Sequence, residues 1–454
     1  LPKPSDLFLS PDLTEEQARV YLRALGFRDA STVDGHLQSM ADDLVTREAL
    51  GRLASELFPA LLESPDPDAA VAGLSQYVAA RSGRAMFLDY LRDDPRALHV
   101  LTYIMGASPF LTEILVRSPE YFHWLVSQVD RSAPDRQDHD EELVGVFATV
   151  DEPAEALNML RRWKRRELLR IGTRELLRHE TVPTVATQLS DVACVVVDFA
   201  LAIVMHNLLN AEGLDHAPGA CAIIATGKLG AGELSYSSDV ELLFVYDTRE
   251  PIDNDAARGF FIKLFAGLAR ALRDDAADGR LYGVEEPPWI EDRGSMAARS
   301  LEEFAEHAGG PAARRALVRA RPIAGDAELG ARFMQACQPL IYREDGANGF
   351  ESAVVSNGLG TDDIEFLIEG VTQAWQLRHG ARHSSLRQTG TLGALDAMRR
   401  AGLLPDQICR ELDHAYILTR SAAHRRQLGL QEDVQKQLDA SRARVLEICR
   451  SLAI

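Results

Sequence analysis

Cysteine is scarce in this chain of 454 residues: Cys194, Cys221, Cys337, Cys409 and Cys449 are odd in number, scattered, and form no C-x-x-C pair. That excludes a disulfide framework and a thiolate zinc site, and reduced thiols are the expectation. Basic charge is also short, with 49 Lys and Arg against 68 Asp and Glu and a formal net charge of −19. A general nucleic-acid binder needs a broad cationic surface to displace counterions, so no nucleic-acid partner is expected. Long hydrophobic runs are missing too. The most apolar stretch, "VACVVVDFALAIVM" (192–205), is shorter than a bilayer span and carries Asp198, so it reads as a buried helix and no membrane contact is expected. "LPKPSDLFLSPDL" has no basic start followed by an apolar block, hence no secretory signal is read and the cytoplasm is the expected location.

What is present suits two or three globular domains at this length. To about residue 180 the pattern is helical. Ser108-Pro109 and Ser118-Pro119 each place a capping serine before a proline suited to a first helical position. In "ALNMLRRWKRRELLRIGTRELLRHE" (156–180), Leu157, Leu160, Leu168 and Ile171 fall in one stripe at the helical period. The arginines between them read as a solvated face paired with acids such as Glu167 and Glu175, not as a phosphate or RNA patch. The charge-rich segment 130–143 is the best loop candidate.

From about 219 the period changes. "ACAIIATG" and "VELLFVYD" are short apolar runs rich in β-formers, "ARGFFIKLFAGLARALRD" is helical, and "GRLYGVEEPPW" suggests a third strand stopped by Pro287-Pro288. Beyond about 300 helices return. The expected division is therefore a helical region at 1–180, an α/β domain at 181–330 and a helical bundle at 331–454.

Between the first two strands lies "ATGKLGAGELSYSSDVELLFVYD" (225–247). Asp239 and Glu241 are two apart at a strand start, so both side chains share a face, where two carboxylates repel unless a cation intervenes. Mg²⁺ takes carboxylate oxygens together with substrate phosphates. Gly227, Gly230 and Gly232 allow backbone amides to approach a polyphosphate, and Ser235, Ser237 and Ser238 add hydroxyl donors. Glu285 sits where a third acid on a neighbouring strand would complete a metal clamp, with Glu286 on the opposite face. The bland alternative is a turn and an ordinary hairpin. A P-loop is excluded, because no G-x(4)-G-K-[ST] arrangement occurs here.

The segment "GKLGAGELSYSSDVELLFVYD" resembles the signature G-K-L-G-G-x-E-L-x-x-x-S-D-[IL]-D-L-[IV]-F of the glutamine synthetase adenylyltransferase/adenylyl-removing family. "ALVRARPIAGDAELGARF", "GLGTDDIEFLIEG" and "TLGALDAMRRAGLLPDQICRELDHAYILTRSAAHRRQL" are similar to three later family segments, and "GASPFLTEILVRSPEYFHWL" to a leading one. The likeness runs in order from about residue 100 to 430 and covers a single copy where members carry two halves in tandem, somewhat more like the adenylyl-removing half.

The resemblance implies a mostly α fold with a central α+β nucleotidyltransferase-type domain, a small mixed sheet, between helical domains. It implies metal-dependent transfer of AMP to a glutamine synthetase tyrosine, or its phosphorolytic removal, with ATP or ADP as nucleotide. Asp239, Glu241 and Glu285 would hold Mg²⁺ (or Mn²⁺), with Glu285 also placing or deprotonating the attacking oxygen. Gly227, Lys228, Gly230, Ala231 and Ser238 would cradle phosphate. Glutamine synthetase, a PII-type signalling protein and a companion second half are the implied partners.

Departures from the pattern are specific. Two of the acids are Glu where the family has Asp, and its arginines near the third acid fall on Gly283, Pro287 and Trp289, its proline and glycine on Ile290 and Asp292. Thr361 and Asp362 replace an apolar-Arg pair. Arg319 and Arg321 are the candidates to compensate, with salt bridging as the plain alternative; Asp363 and Glu365 are further site candidates, for which a helix cap and surface pairing are the favoured reading. His379, His383 and His424 lack ligand spacing and read as surface residues. The second reading is a degenerate member that keeps the fold and binds nucleotide or a partner without catalysis.

Overall fold

The structure, a computed structural model, describes residues 3–147, 150, 152–248, 254–285, 299–307, 310–343, 363–430 and 434–452. Readings made at Glu286, Pro287, Pro288, Trp289, Ile290, Asp292, Thr361 and Asp362 lie outside the described residues. Contacts divide the chain into two compact units. One comprises Leu1–Ser132, Arg165–Thr181 and Arg425–Glu432, the other Ala133–Lys164, Val182–His424 and Asp433–Ile454.

The first unit is helical. Its centre includes Tyr77, Phe87 and Phe122, whose rings meet edge to face at 5.4–6.1 Å. Ser108 caps helix Pro109–Arg117 as expected, accepting from Leu111 N at 3.2 Å. Ser118 does not repeat the device. Its hydroxyl accepts from Arg165 Nη2 at 3.0 Å, and the next helix, Tyr121–Gln128, starts after Glu120 without a side-chain cap.

The basic residues of helix Pro153–Leu176 correct the sequence reading. Leu160, Leu168 and Ile171 are buried as expected, but so are Arg161, Arg170 and Arg174. In the first unit Arg170 pairs with Glu167 at 2.7 Å, and Arg174 donates to the carbonyls of Gln128 and Val129. In the second unit Arg161 donates to Ala271 O and Asp274 O, and Lys164 to Leu281 O. Ala271 and Asp274 stand at the end of helix Asn254–Arg273, where carbonyls lack helical partners, so these cations satisfy acceptors that would otherwise be orphaned. Burial pulls the Lys164 ammonium down to about 7.

The second unit holds a mixed sheet of five strands among the described residues: β1 (Gly219–Thr226), β2 (Val240–Thr248), β3 (Val284–Glu285), β4 (Arg299–Ser300) and β5 (Arg321–Gly325). The order is β3-β2-β1-β5, with β4 also beside β2. β1 runs antiparallel to β2 and β5, whereas β3 and β4 are parallel to β2. Both faces are covered, which is why β1 and β2 read as continuous apolar runs. Ala222, Ile224, Leu243 and Val245 pack with Leu317, Phe333 and Leu377. On the other face Phe244 stacks on Phe265 and Tyr246 on Phe261, each at 4.9 Å. β5 was not expected as a strand. Pro322 lies within it, tolerable because β5 ends the sheet and its register against β1 is irregular at Ile223/Ile224.

Two further expectations change. Segment 130–143 is mostly helix, Arg136–Phe147, opened by Asp135, whose carboxylate accepts from Asp138 N at 3.0 Å. The apolar run at 192–205 belongs to a helix of 31 residues, Val182–Glu212, long and apolar enough by length and composition to cross a membrane. Its polar side chains serve the sheet region instead: Ser190 Oγ accepts from Leu234 N at 3.1 Å, and Asp198 from Gly325 N at 3.2 Å.

Helices Ile364–His379, Thr391–Arg400, Asp406–Gln427 and Gln435–Leu452 share a core around Ile368, Leu395, Met398, Leu412 and Ile448. His424 is fully buried against Tyr236, not at the surface, while His379 and His383 are half-buried. All five cysteines are free and buried.

Arg319, just before β5, is 4% exposed and lies 3.2 Å from Glu369, 3.7 Å from Glu233 and 2.8 Å from Thr391 Oγ. Burial opposes its charge, but Glu369 and Glu233 hold the guanidinium above its ordinary pKa. Removing one member of such a group strands the others in low dielectric. Arg319→Met is therefore expected to cost about 3–5 kcal/mol, read as a lower urea midpoint of the second unit. An unchanged midpoint would show that the ion group carries no stability.

Candidate active site

Thr226 ends β1, and Gly227 at φ +55° swings the chain into a one-turn helix, Gly227–Ala231. A β-carbon at Gly230 would stand 2.1 Å from Arg319 O and 2.7 Å from Ala225 O, so only glycine lets this turn seat against the sheet. Ser238 closes the loop before β2, its hydroxyl accepting from Ser235 N at 3.0 Å and its own N–H donating to Ser235 O at 3.2 Å.

β2 and β3 place the acids. Glu241 lies opposite Glu285 in the parallel ladder, one step beyond Val240 and Val284. Asp239 immediately precedes β2, and its carboxylate lies over Gly283, where a β-carbon would be 2.0 Å from Oδ1. Residues 283 and 285 share a strand face, as do 239 and 241, so the three acids occupy one side of the β2–β3 edge. Asp239 and Glu285 are exposed, and Glu241 is half-buried. Burial raises the Glu241 carboxyl above its ordinary range. The Thr226 hydroxyl, which donates to Oε1, opposes that rise, Glu285 adds to it, and Arg319 weakly opposes it.

The other candidates are placed differently. Lys228, 40% exposed, pairs with Glu365 at 3.0 Å, and Glu365 also pairs with buried Arg420 at 2.8 Å. Burial works against the Glu365 charge, but Arg420 and Lys228 hold its pKa below the ordinary value. The Glu365–Arg420 pair is largely enclosed, not the surface contact expected, while Lys228 reaches it from the exposed side. Asp363 caps helix Ile364–His379, accepting from Phe366 N at 3.1 Å. Arg319 is enclosed by Glu233, Glu369 and Thr391, and Arg321 donates to Leu229 O at 3.1 Å behind the turn. Ala231 is half-buried at the end of the turn.

Sequence reasoning missed three participants. Thr226 pairs with Glu241 in the β1–β2 ladder, a position found by counting back across the hairpin. Gly283, a glycine beside a strand, was a sign of close approach by another group. Arg280, held by both oxygens of Asp275 at 2.7 and 3.2 Å, stands near enough to Asp239 to feel its charge.

The donor set fits a hard divalent cation: three carboxylates, one made reluctant to ionise by burial and by an acid across the ladder, on a glycine-lined face. Together, the antiparallel β1–β2 hairpin, the glycine turn within it and the carboxylates after it define a nucleotidyltransferase-type domain. Residues 98–336 match the family described as glutamate-ammonia ligase adenylyltransferase, and the chain belongs to that family. It is 31% identical over 448 residues to the bifunctional glutamine synthetase adenylyltransferase/adenylyl-removing enzyme of Nocardia farcinica, covering 92% of this chain and 44% of that protein. The identically named proteins of Mycobacterium leprae and Streptomyces coelicolor are each 29% identical, with 89% and 91% of this chain covered and 42% and 44% of theirs. The chain thus spans less than half the length of these relatives.

Two outcomes follow from the geometry. Between the unfolded pKa of Glu241 and its raised folded value the folded protein binds more protons, so this group's contribution to stability falls as pH rises through that window. Cation binding needs the ionised form, so Mn²⁺-induced thermal stabilisation should grow over the same window, and Glu241→Gln should flatten that growth. Separately, Gly283→Ala drives a methyl group into Asp239 and should weaken Mn²⁺ binding about tenfold by titration, a size typical for displaced support of a ligand. Wild-type affinity in that variant would show that Asp239 does not bind the ion.

Proposed function

We propose that this chain is a metal-dependent nucleotidyltransferase acting on the AMP–tyrosine linkage of glutamine synthetase, with phosphorolytic removal favoured over attachment. The observation that carries the reading is the in-register Glu241–Glu285 pair, with Asp239 seated on Gly283 beside it. Asp239, Glu241 and Glu285 would hold Mg²⁺ or Mn²⁺, which supplies charge neutralisation at phosphate oxygens when bound. In the favoured direction an oxygen of inorganic phosphate attacks the phosphorus of AMP-tyrosine. The bond from phosphorus to the tyrosine oxygen breaks, giving ADP and a phenolate that takes up a proton. Glu285, exposed at the edge, orients the attacking oxygen and accepts its proton.

Gly227, Gly230, Ala231 and Ser238 offer backbone amides and a hydroxyl to phosphate, and Lys228 adds charge at the turn. Arg319 and Arg321 act from behind, fixing the turn. A PII-type regulator and a companion half belong to this proposal as further partners, and the cytoplasm as its setting.

A second reading, a nucleotide- or partner-binding module without catalysis, is favoured by one observation: Lys228 and Arg319 are engaged by Glu365, Glu233 and Glu369. The two readings separate on incubation with AMP-modified glutamine synthetase and phosphate. Catalysis yields ADP, and Asp239→Ala abolishes it. No ADP from the wild type, or equal ADP from the variant, would leave only the binding module.

A further inference from the structure

We propose that Thr226 is a positioning residue for Glu241, fixing one carboxylate oxygen so that the other is presented to a divalent cation. The inference rests on the cation site of the preceding subsection and assigns a residue that the site's acids do not themselves reveal.

Thr226 is the last residue of β1 and lies directly opposite Glu241 in the antiparallel ladder. Directly opposed residues on one face bring their β-carbons to within about 5.5 Å. Thr226 is wholly buried, and its hydroxyl donates to Oε1 of Glu241. A carboxylate can only accept, so the single hydroxyl proton is directed at it. A buried threonine in a strand needs only some acceptor; here it takes the side-chain oxygen of a proposed ligand. The next residue, Gly227, has no side chain, and a β-carbon there would stand 3.4 Å from the same Oε1. Among the described residues no hydrogen bond reaches Oε2 of Glu241.

The physical need follows from the length of the Glu241 side chain. Glutamate has one more rotatable bond than aspartate, so immobilising it on a cation costs more rotamer entropy. A hydroxyl that already holds one oxygen removes much of that cost before the cation arrives. Groups that orient a metal ligand typically change affinity by about 10–100-fold when removed.

The test titrates the full chain with Mn²⁺ alone, following free Mn²⁺ by electron paramagnetic resonance, with melting curves of each metal-free variant. Thr226→Val keeps shape and loses the donor, and it should weaken binding about tenfold. Thr226→Ser keeps the donor and should restore wild-type affinity. In a Glu241→Gln background, Thr226→Val should cost nothing further, which a general packing defect would not reproduce. If Thr226→Val does not fold, Thr226→Ala against Thr226→Ser decides in the same way. Wild-type binding unmoved by loss of the hydroxyl, or an equal loss in the Glu241→Gln background, overturns the positioning role alone. No Mn²⁺ binding by the wild type overturns the cation site, and the role of Thr226 with it.

Discussion

The second unit depends on one enclosed ion group. Arg319 precedes β5, Glu233 follows the glycine turn, Glu369 lies on helix Ile364–His379, and Tyr416 reaches Glu233 from helix Asp406–Gln427 at 2.8 Å. Thr391 adds its backbone N–H to the same carboxylate at 2.6 Å. Five chain segments, distant in sequence, meet at a few polar atoms that cannot be left unpaired once water is excluded. Apolar packing holds the sheet and the C-terminal helices internally; this group fixes which polar partners face one another.

Such rigidity suits the carboxylates in front of it. Placing Glu241 and Glu285 opposite each other on parallel strands costs energy in the free protein, because like charges oppose and burial disfavours ionisation. A flexible framework would relieve the conflict by letting one side chain swing away. Here the ladder sets the backbone of both residues, and the turn that precedes them is locked by Gly230 against Arg319 O.

Much of this was legible in the sequence. The change of period near residue 219 marked β1 and β2, and the two-residue spacing of Asp239 and Glu241 marked the acids, because alternation in a strand is a local property. What escaped was set by tertiary partners. The basic side chains of helix Pro153–Leu176 have a solvated-looking pattern, yet they enter the interior because distant carbonyls lack donors. Arg319 looked available for phosphate, but the acids that enclose it come from residues 233 and 369, and no spacing rule links those positions. β5 was hidden by its proline. His424 was hidden by the polar residues around it, since only the fold shows that its side of the helix meets Tyr236.

The bare α-carbon at Gly283 also bears on how this site can change over time. The family pattern that this segment resembles has an arginine at the matching position, and here Asp239 Oδ1 stands 2.0 Å from where a β-carbon would be. The two positions are sterically coupled. Any side chain at 283 would oblige the Asp239 carboxylate to leave its present place, so a substitution there also shifts the first acid of the candidate site.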